Sequence, residues 1–247
     1  IIAKREAILS PLQAVIGVVE RKQTMPILAN VLVAAKGGKL SITATDLEVE
    51  LVATSEVDVQ RGGEITIPGR KLLDICRALP EGTEITLTQE GERMLVRARK
   101  SRFTLTTLPA AEFPTVEEIN AEQTLQLPQK DFKRLLDKTH FSMAQQDVRY
   151  YLNGLLLETS AKMLRAVATD GHRLALCEVE LANGGKAGQQ VIVPRKGVLE
   201  LQRILGNEDQ LLEVSIGSNH LRVQIGEIRF TSKLIDGRFP EYSRVIP

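Results

Sequence analysis

The chain has 247 residues, of which 43% are hydrophobic and 26% charged, and its formal net charge is +1. That length holds one large domain or two of average size, and so small a net charge points to no particular partner. No run approaches the roughly 18 apolar residues of a membrane span, and the opening run with Lys4, Arg5 and Glu6 is not a signal peptide, so a cytoplasmic protein is expected.

The first predicted element is an amphipathic helix over residues 5–19. Strands follow over 27–35, 39–44 and 48–57, with Gly37-Gly38 as a hairpin signal. Ile65-Thr66-Ile67-Pro68 is a short strand ending in a proline that opens a second helix, in which Leu72, Leu73, Cys76 and Leu79 share a face. Strands over 84–89, 94–98 and 103–108 close this set. An acidic, loop-like stretch over 115–124, including Glu117 and Glu118, reads as a linker. Beyond it the order recurs: a helix over 129–141 with Phe132, Leu135, Leu136 and Thr139 on one face, strands over 154–158, 163–168 and 173–179, Pro194 opening another helix, and strands over 211–216, 221–225 and 229–234.

The recurrence is visible residue by residue. Thr45-Asp46-Leu47 matches Thr169-Asp170-Gly171, Pro68 matches Pro194, and Arg102-Phe103 through Pro114 matches Arg229-Phe230 through Pro240, at offsets of 124 to 127 residues. So long a period indicates domain duplication rather than a solenoid. We expect two α+β domains, 1–118 and 124–247, each with two helices packed on antiparallel sheet. Cys76 and Cys177 sit among apolar residues and read as buried structural thiols rather than a disulfide.

Charge is segregated. Segments 68–79, 128–141 and 194–205 each carry net +2, with Lys71 and Lys196 among their cations, so the rest of the chain is acidic. Basic helices on an acidic body suit a surface facing polyanion, through sequence-independent phosphate contacts; a solvated helix face gives the same pattern.

Chemistry-bearing motifs are few. Thr169-Asp170-Gly171-His172-Arg173-Leu174 invites a catalytic reading, but no Ser or Cys nucleophile is placed near it by any motif, and the first copy has Asp46 without a histidine. Asp170 therefore reads as a turn residue of the repeat, and Gly171-His172-Arg173 as either structural or a ligand contact. No paired Cys/His spacing, phosphate loop or acidic triad suggests a metal or cofactor. The segment joining helix to strand, Gln146-Asp147-Val148-Arg149-Tyr150-Tyr151, could contact a nucleic-acid backbone or stack on bases, or simply pack with one tyrosine inward.

These strings, with Val191-Ile-Val-Pro-Arg-Lys196, Phe230 through Pro240 and Pro26-Ile-Leu-Ala-Asn30, resemble the bacterial β clamp, the β subunit of DNA polymerase III, over the whole chain and in order. The resemblance implies a non-enzymatic processivity clamp without cofactors, three such domains per subunit, and a head-to-tail homodimeric ring around double-stranded DNA. It implies DNA contacts at Lys22 (an Arg in the family), Gln146, Arg149, Tyr150 and Tyr151. It implies a pocket for short peptides of polymerase, clamp loader and repair proteins at Leu152, Thr169, Gly171, His172, Arg173, Leu174, Pro240, Arg244 and Val245. It also implies a ring-closing interface at Lys71, Lys100, Arg102 and Phe103. Two domains alone are expected not to close the ring. The rival readings are a nucleic-acid enzyme and a peptide-binding scaffold that never meets DNA.

Overall fold

The computed structural model describes every residue except Gln23 and Glu117; the linker acid Glu117 thus lies outside the described residues. The chain divides into two compact units, residues 1–117 with 226–230, and residues 118–225 with 231–247.

In the first unit, β1 (Ile2–Lys4) leads into α1 (Arg5–Val15). The helix contains Pro11, which has no N–H for the carbonyl of Ala7. The Ser55 hydroxyl donates to that carbonyl instead, at 2.5 Å, so the turn is repaired from outside the helix. The helix is shorter than its amphipathic pattern: a 3₁₀ turn, Ile16–Val18, takes over. After a second 3₁₀ turn at Pro26–Ala29 come β2 (Asn30–Lys36), β3 (Lys39–Thr45), β4 (Val49–Glu56) and β5 (Gly63–Pro68). Gly37 and Gly38 have φ of +58° and +74° between β2 and β3, the left-handed pair that a tight hairpin needs. Then follow α2 (Gly69–Ala78), β6 (Glu84–Glu90), β7 (Arg93–Ala98) and β8 (Ser101–Thr106).

The second unit repeats this series. It runs β9 (Ala121–Pro128), α3 (Gln129–Asp137), β10 (Gly154–Thr159), β11 (Met163–Thr169), β12 (Leu174–Glu180), β13 (Gln190–Pro194), α4 (Arg195–Ile204), β14 (Leu211–Gly217), β15 (His220–Ile225) and β16 (Ile228–Lys233). The division between the units runs through β16. Sheet order is the same in both copies: β1-β6-β7-β8 matches β9-β14-β15-β16, and β5-β2-β3-β4 matches β13-β10-β11-β12. Shared strand order through eight strands is the structural counterpart of the sequence repeat.

Further expectations need correction. Residues 121–124 are not loop: they begin β9, which pairs with β14. Helix α3 stops at Asp137 rather than 141, because Thr139 leaves helical geometry and its hydroxyl turns back to the Leu135 carbonyl at 2.6 Å.

Helices α2, α3 and α4 each follow a strand that ends in proline, at Pro68, Pro128 and Pro194, with the proline as N-cap. Proline disfavours helix in the residue before it and tolerates helix after it, so the switch from strand to helix is abrupt. The helices bury one face each: Ile8, Leu12 and Val15; Leu72, Leu73 and Cys76; Phe132, Leu135 and Leu136; Val198 and Leu201. Cys177 on β12 is only half-buried, unlike Cys76, and both thiols are free.

Candidate DNA and peptide sites

The Thr-Asp turn is built identically twice. Asp170 Oδ1 accepts the N–H of His172 at 2.9 Å and of Arg173 at 3.1 Å, while Thr169 Oγ1 accepts the Gly171 N–H and donates to the Arg173 carbonyl. Asp46 does the same for Glu48 and Val49, and Thr45 for Leu47 and Val49. Both aspartates are thus occupied in holding a β-turn. Donation from the His172 N–H keeps the Asp170 carboxyl below its ordinary range. The third turn residue is left-handed in both copies, Leu47 at φ +80° and Gly171 at +90°.

Around the second turn the structure gathers several of the expected peptide contacts. Arg173 Nη2 donates to the Phe141 carbonyl at 2.6 Å, and its guanidinium lies 6.0 Å from the Phe141 ring centroid. His172 is exposed beside it, and Phe141 remains 51% exposed. Leu174 opens β12, an edge strand, and packs with Tyr151, Leu176 and Ile235 on the buried cluster of Leu156, Val167, Ile192, Phe239 and Tyr242. Leu152 is buried.

The closing segment is pinned onto this cluster. The Tyr242 hydroxyl donates to Glu158, accepts from Arg165 Nη1 at 2.8 Å, and Arg165 also pairs with Glu178. Burial, then the Glu158 carboxylate, push the Tyr242 phenol above its ordinary range. Pro240, Arg244 and Val245 flank this anchor and are exposed; Arg244 pairs with Glu241 at 2.8 Å.

The loop before β10 carries the expected DNA contacts of this unit. Gln146 stands at φ +55°, and Val148 is 96% exposed at the tip. Tyr150 and Tyr151 form a 3₁₀ turn with Leu152 and meet edge to face, 5.7 Å between centroids. Tyr150 is exposed while Tyr151 packs inward, so the packed reading holds for Tyr151 and the Tyr150 ring is left open to solvent. Asn153 ties the loop shut: its Oδ1 accepts the Asp147 N–H and its Nδ2 donates to the Asp147 carbonyl, both at 3.0 Å. Arg149 folds back on Asp147, with Nε at 3.0 Å and Nη2 at 2.9 Å, and reaches the Asp170 carbonyl at 3.4 Å.

The remaining expected cations lie on or beside helices. Lys22 is exposed beyond the first 3₁₀ turn, Lys71 is exposed on α2, and Lys196 is partly exposed in the first turn of α4. Some helix cations have acidic partners, Lys133 with Asp137, Arg203 with Glu200 and Lys130 with Asp209. Exposed pairs of this kind are weak and leave the net charge of each helix standing. Lys100, Arg102 and Phe103 lie on or next to β8, which is a sheet edge. Among the described residues, no group of three or more His, Cys, Asp or Glu side chains could hold a metal ion, and no helix is long and apolar enough to cross a membrane.

Tandem domains of identical strand order, each with two helices on antiparallel sheets and a shared Thr-Asp turn, define a clamp-type chain. Residues 1–117 match the family model described as "DNA polymerase III beta subunit, N-terminal domain", and residues 126–241 match "DNA polymerase III beta subunit, central domain". The beta sliding clamps of Pseudomonas putida and Escherichia coli K12 are each 54% identical to the chain over 245 residues, covering 99% of it and 67% of each relative. The crystal structure of the DNA polymerase III subunit beta from Pseudomonas aeruginosa superposes with a TM-score of 0.97 at 53% identity, covering 100% of the chain and 67% of that structure. The chain belongs to the bacterial beta sliding clamp family.

Proposed function

We propose that the chain acts as its family does: a non-catalytic clamp that encircles duplex DNA without regard to sequence and tethers the replicative polymerase, clamp loader and repair proteins through short peptide motifs, in the cytoplasm. The observation that carries this reading is identity of 54% running through both repeats over 99% of the chain. Encirclement needs no tight grip. Non-specific phosphate contacts exchange readily, so a ring slides while the tether keeps a polymerase at high local concentration.

In this reading Lys22, Gln146, Arg149, Tyr150, Tyr151 and Lys196 face DNA. The exposed Tyr150 ring and the net-positive helices support that role. Leu152, Thr169, Gly171, His172, Arg173, Leu174, Pro240, Arg244 and Val245 form the peptide site, supported by the apolar floor under Leu174 and the anchored segment behind it. An apolar Leu or Phe anchor would supply most of the affinity. Lys71, Lys100, Arg102 and Phe103 form one half of a subunit interface, supported by the open edge of β8.

The test uses a chimera in which this chain replaces the matching two-thirds of the Pseudomonas aeruginosa clamp. Loaded by a clamp loader onto nicked circular plasmid, it should be retained and then lost when the plasmid is linearised. Equal retention on both forms would favour a scaffold that does not encircle DNA.

A further inference from the structure

The Arg149 side chain joins the DNA-facing loop to the peptide-site turn. Arg149 leaves the loop, is gripped by both carboxylate oxygens of Asp147, and ends against the turn: its Nη2 donates to the Asp170 carbonyl at 3.4 Å. A Cβ at Gly171 would stand 3.1 Å from its Nη1. Asp147 is itself fixed, with its backbone N–H and carbonyl both held by the Asn153 amide. The planar guanidinium is therefore aimed, since a two-point carboxylate grip sets its direction as well as its charge.

Resting on the functional reading above but moving Arg149 from its DNA-facing set to its peptide site, we propose that Asp147 is a positioning residue that commits Arg149 to the wall of the peptide site and withholds it from DNA phosphate. An arginine free to swing from that loop would neutralise a phosphate. One held by Asp147 cannot do so without giving up a two-point ion pair. The carboxylate thus sets a division of labour between the two ligands, and it couples them: whatever draws Arg149 toward a phosphate removes a wall from the peptide turn. The grip is present over the physiological range, because Arg149 holds the Asp147 carboxyl down to about 2.

The experiment compares the chain with Asp147→Asn, Arg149→Ala and the double variant. Asparagine keeps an oxygen for the Arg149 backbone N–H, which Asp147 Oδ1 now accepts at 2.8 Å, and so preserves the loop while removing the charge. Two probes are titrated: a labelled short peptide carrying a Leu-Phe pair, and a labelled 30-base-pair duplex over a salt series. Asp147→Asn should weaken the peptide about fivefold or more, the low end of coupling between linked sites. It should also steepen the slope of log affinity for duplex against log salt by about one phosphate contact. Both effects should vanish in the Arg149→Ala background, which a merely structural role for Asp147 would not produce. If both probes bind the unaltered chain and Asp147→Asn changes neither, or if its effects persist without Arg149, the clasp is overturned and the functional reading stands. A chain that binds no peptide overturns the peptide site and the clasp with it, while the encircling part of the functional reading stands or falls on retention of the chimera on circular plasmid.

Discussion

At the scale of single residues, Gly171 and Asp147 carry opposite kinds of constraint. Gly171 is needed for its backbone: at φ +90° a side chain is strained, and a methyl there also meets the Arg149 guanidinium. Gly171→Ala should cost about 1 kcal/mol or more and weaken peptide binding. Thermal melts and a peptide titration check both, and an unchanged melting temperature would contradict the strain argument. Copy one tolerates Leu47 at φ +80°, so the substitution should not prevent folding. Asp147 is needed for its charge. Its carboxyl is lowered to about 2 from an ordinary 3.8. A lowered folded-state value stabilises above the unfolded value and is lost as pH falls through the folded one. The melting-temperature advantage of the unaltered chain over Asp147→Asn should therefore be constant above about pH 5 and fade between about 4 and 2. The cysteines make a second contrast. Burial pushes the Cys76 thiol up to about 11, so an aromatic disulfide reagent at pH 8 should leave it untouched in the native chain, with the half-buried Cys177 reacting first. Immediate titration of both thiols would refute that. Residue pattern alone made the Asp170 turn legible, because Asp46 repeats it without a histidine. It did not reveal that Arg149 folds back, since a bond between residues two apart in a loop leaves no periodic trace.

At the scale of elements, sequence periodicity located helices and strands well and their ends less well. The apolar face of α3 is written in Phe132, Leu135 and Leu136, yet the helix ends before Phe141 because Thr139 leaves helical geometry and its hydroxyl donates back to the Leu135 carbonyl. Strand β1 is three residues long and β9 begins among acidic residues, so neither shows the apolar run that marks a strand. What they do have is a partner in the sheet, and pairing is not visible in one strand alone. The anchor of the closing segment is of this non-local kind as well: Glu158 and Arg165 are paired across the β10–β11 hairpin, and the distant Tyr242 meets them only in the fold. Tyr242→Phe removes the hydroxyl that bridges the two charges and should destabilise the chain by about 1–3 kcal/mol. In the functional reading it should also loosen Pro240, Arg244 and Val245, so peptide affinity should fall although the substituted atom lies beneath the surface. Calorimetric titration alongside denaturant unfolding would separate the two effects, and unchanged affinity would show that the segment seats itself without this bridge.

At the scale of the whole molecule, duplication places the proposed peptide site and the proposed subunit interface on equivalent frames. The same topology, built twice, presents a free sheet edge at β8 in the first unit and at β12 in the second. An open edge with unpaired backbone groups is normally guarded by charge or covered by a partner. β8 carries Arg102 and follows Lys100, yet it also carries the half-buried Phe103, which is paired opposite Val96 on β7. That pairing turns Phe103 to the face of the buried Val96, so part of its ring is core, and an interface would cover the exposed remainder beside charges that select the partner. In the chimera with the last third of the Pseudomonas aeruginosa clamp, Phe103→Asp should therefore shift the species seen by light scattering from dimer toward monomer. Reversing Arg102 to Glu should have a smaller effect that grows weaker with salt. Both variants should leave peptide affinity unchanged, because the proposed peptide site lies in the other unit. A dimer that survives Phe103→Asp at micromolar concentration would move the ring-closing surface away from β8 and leave the Lys71, Lys100, Arg102 and Phe103 cluster as ordinary surface.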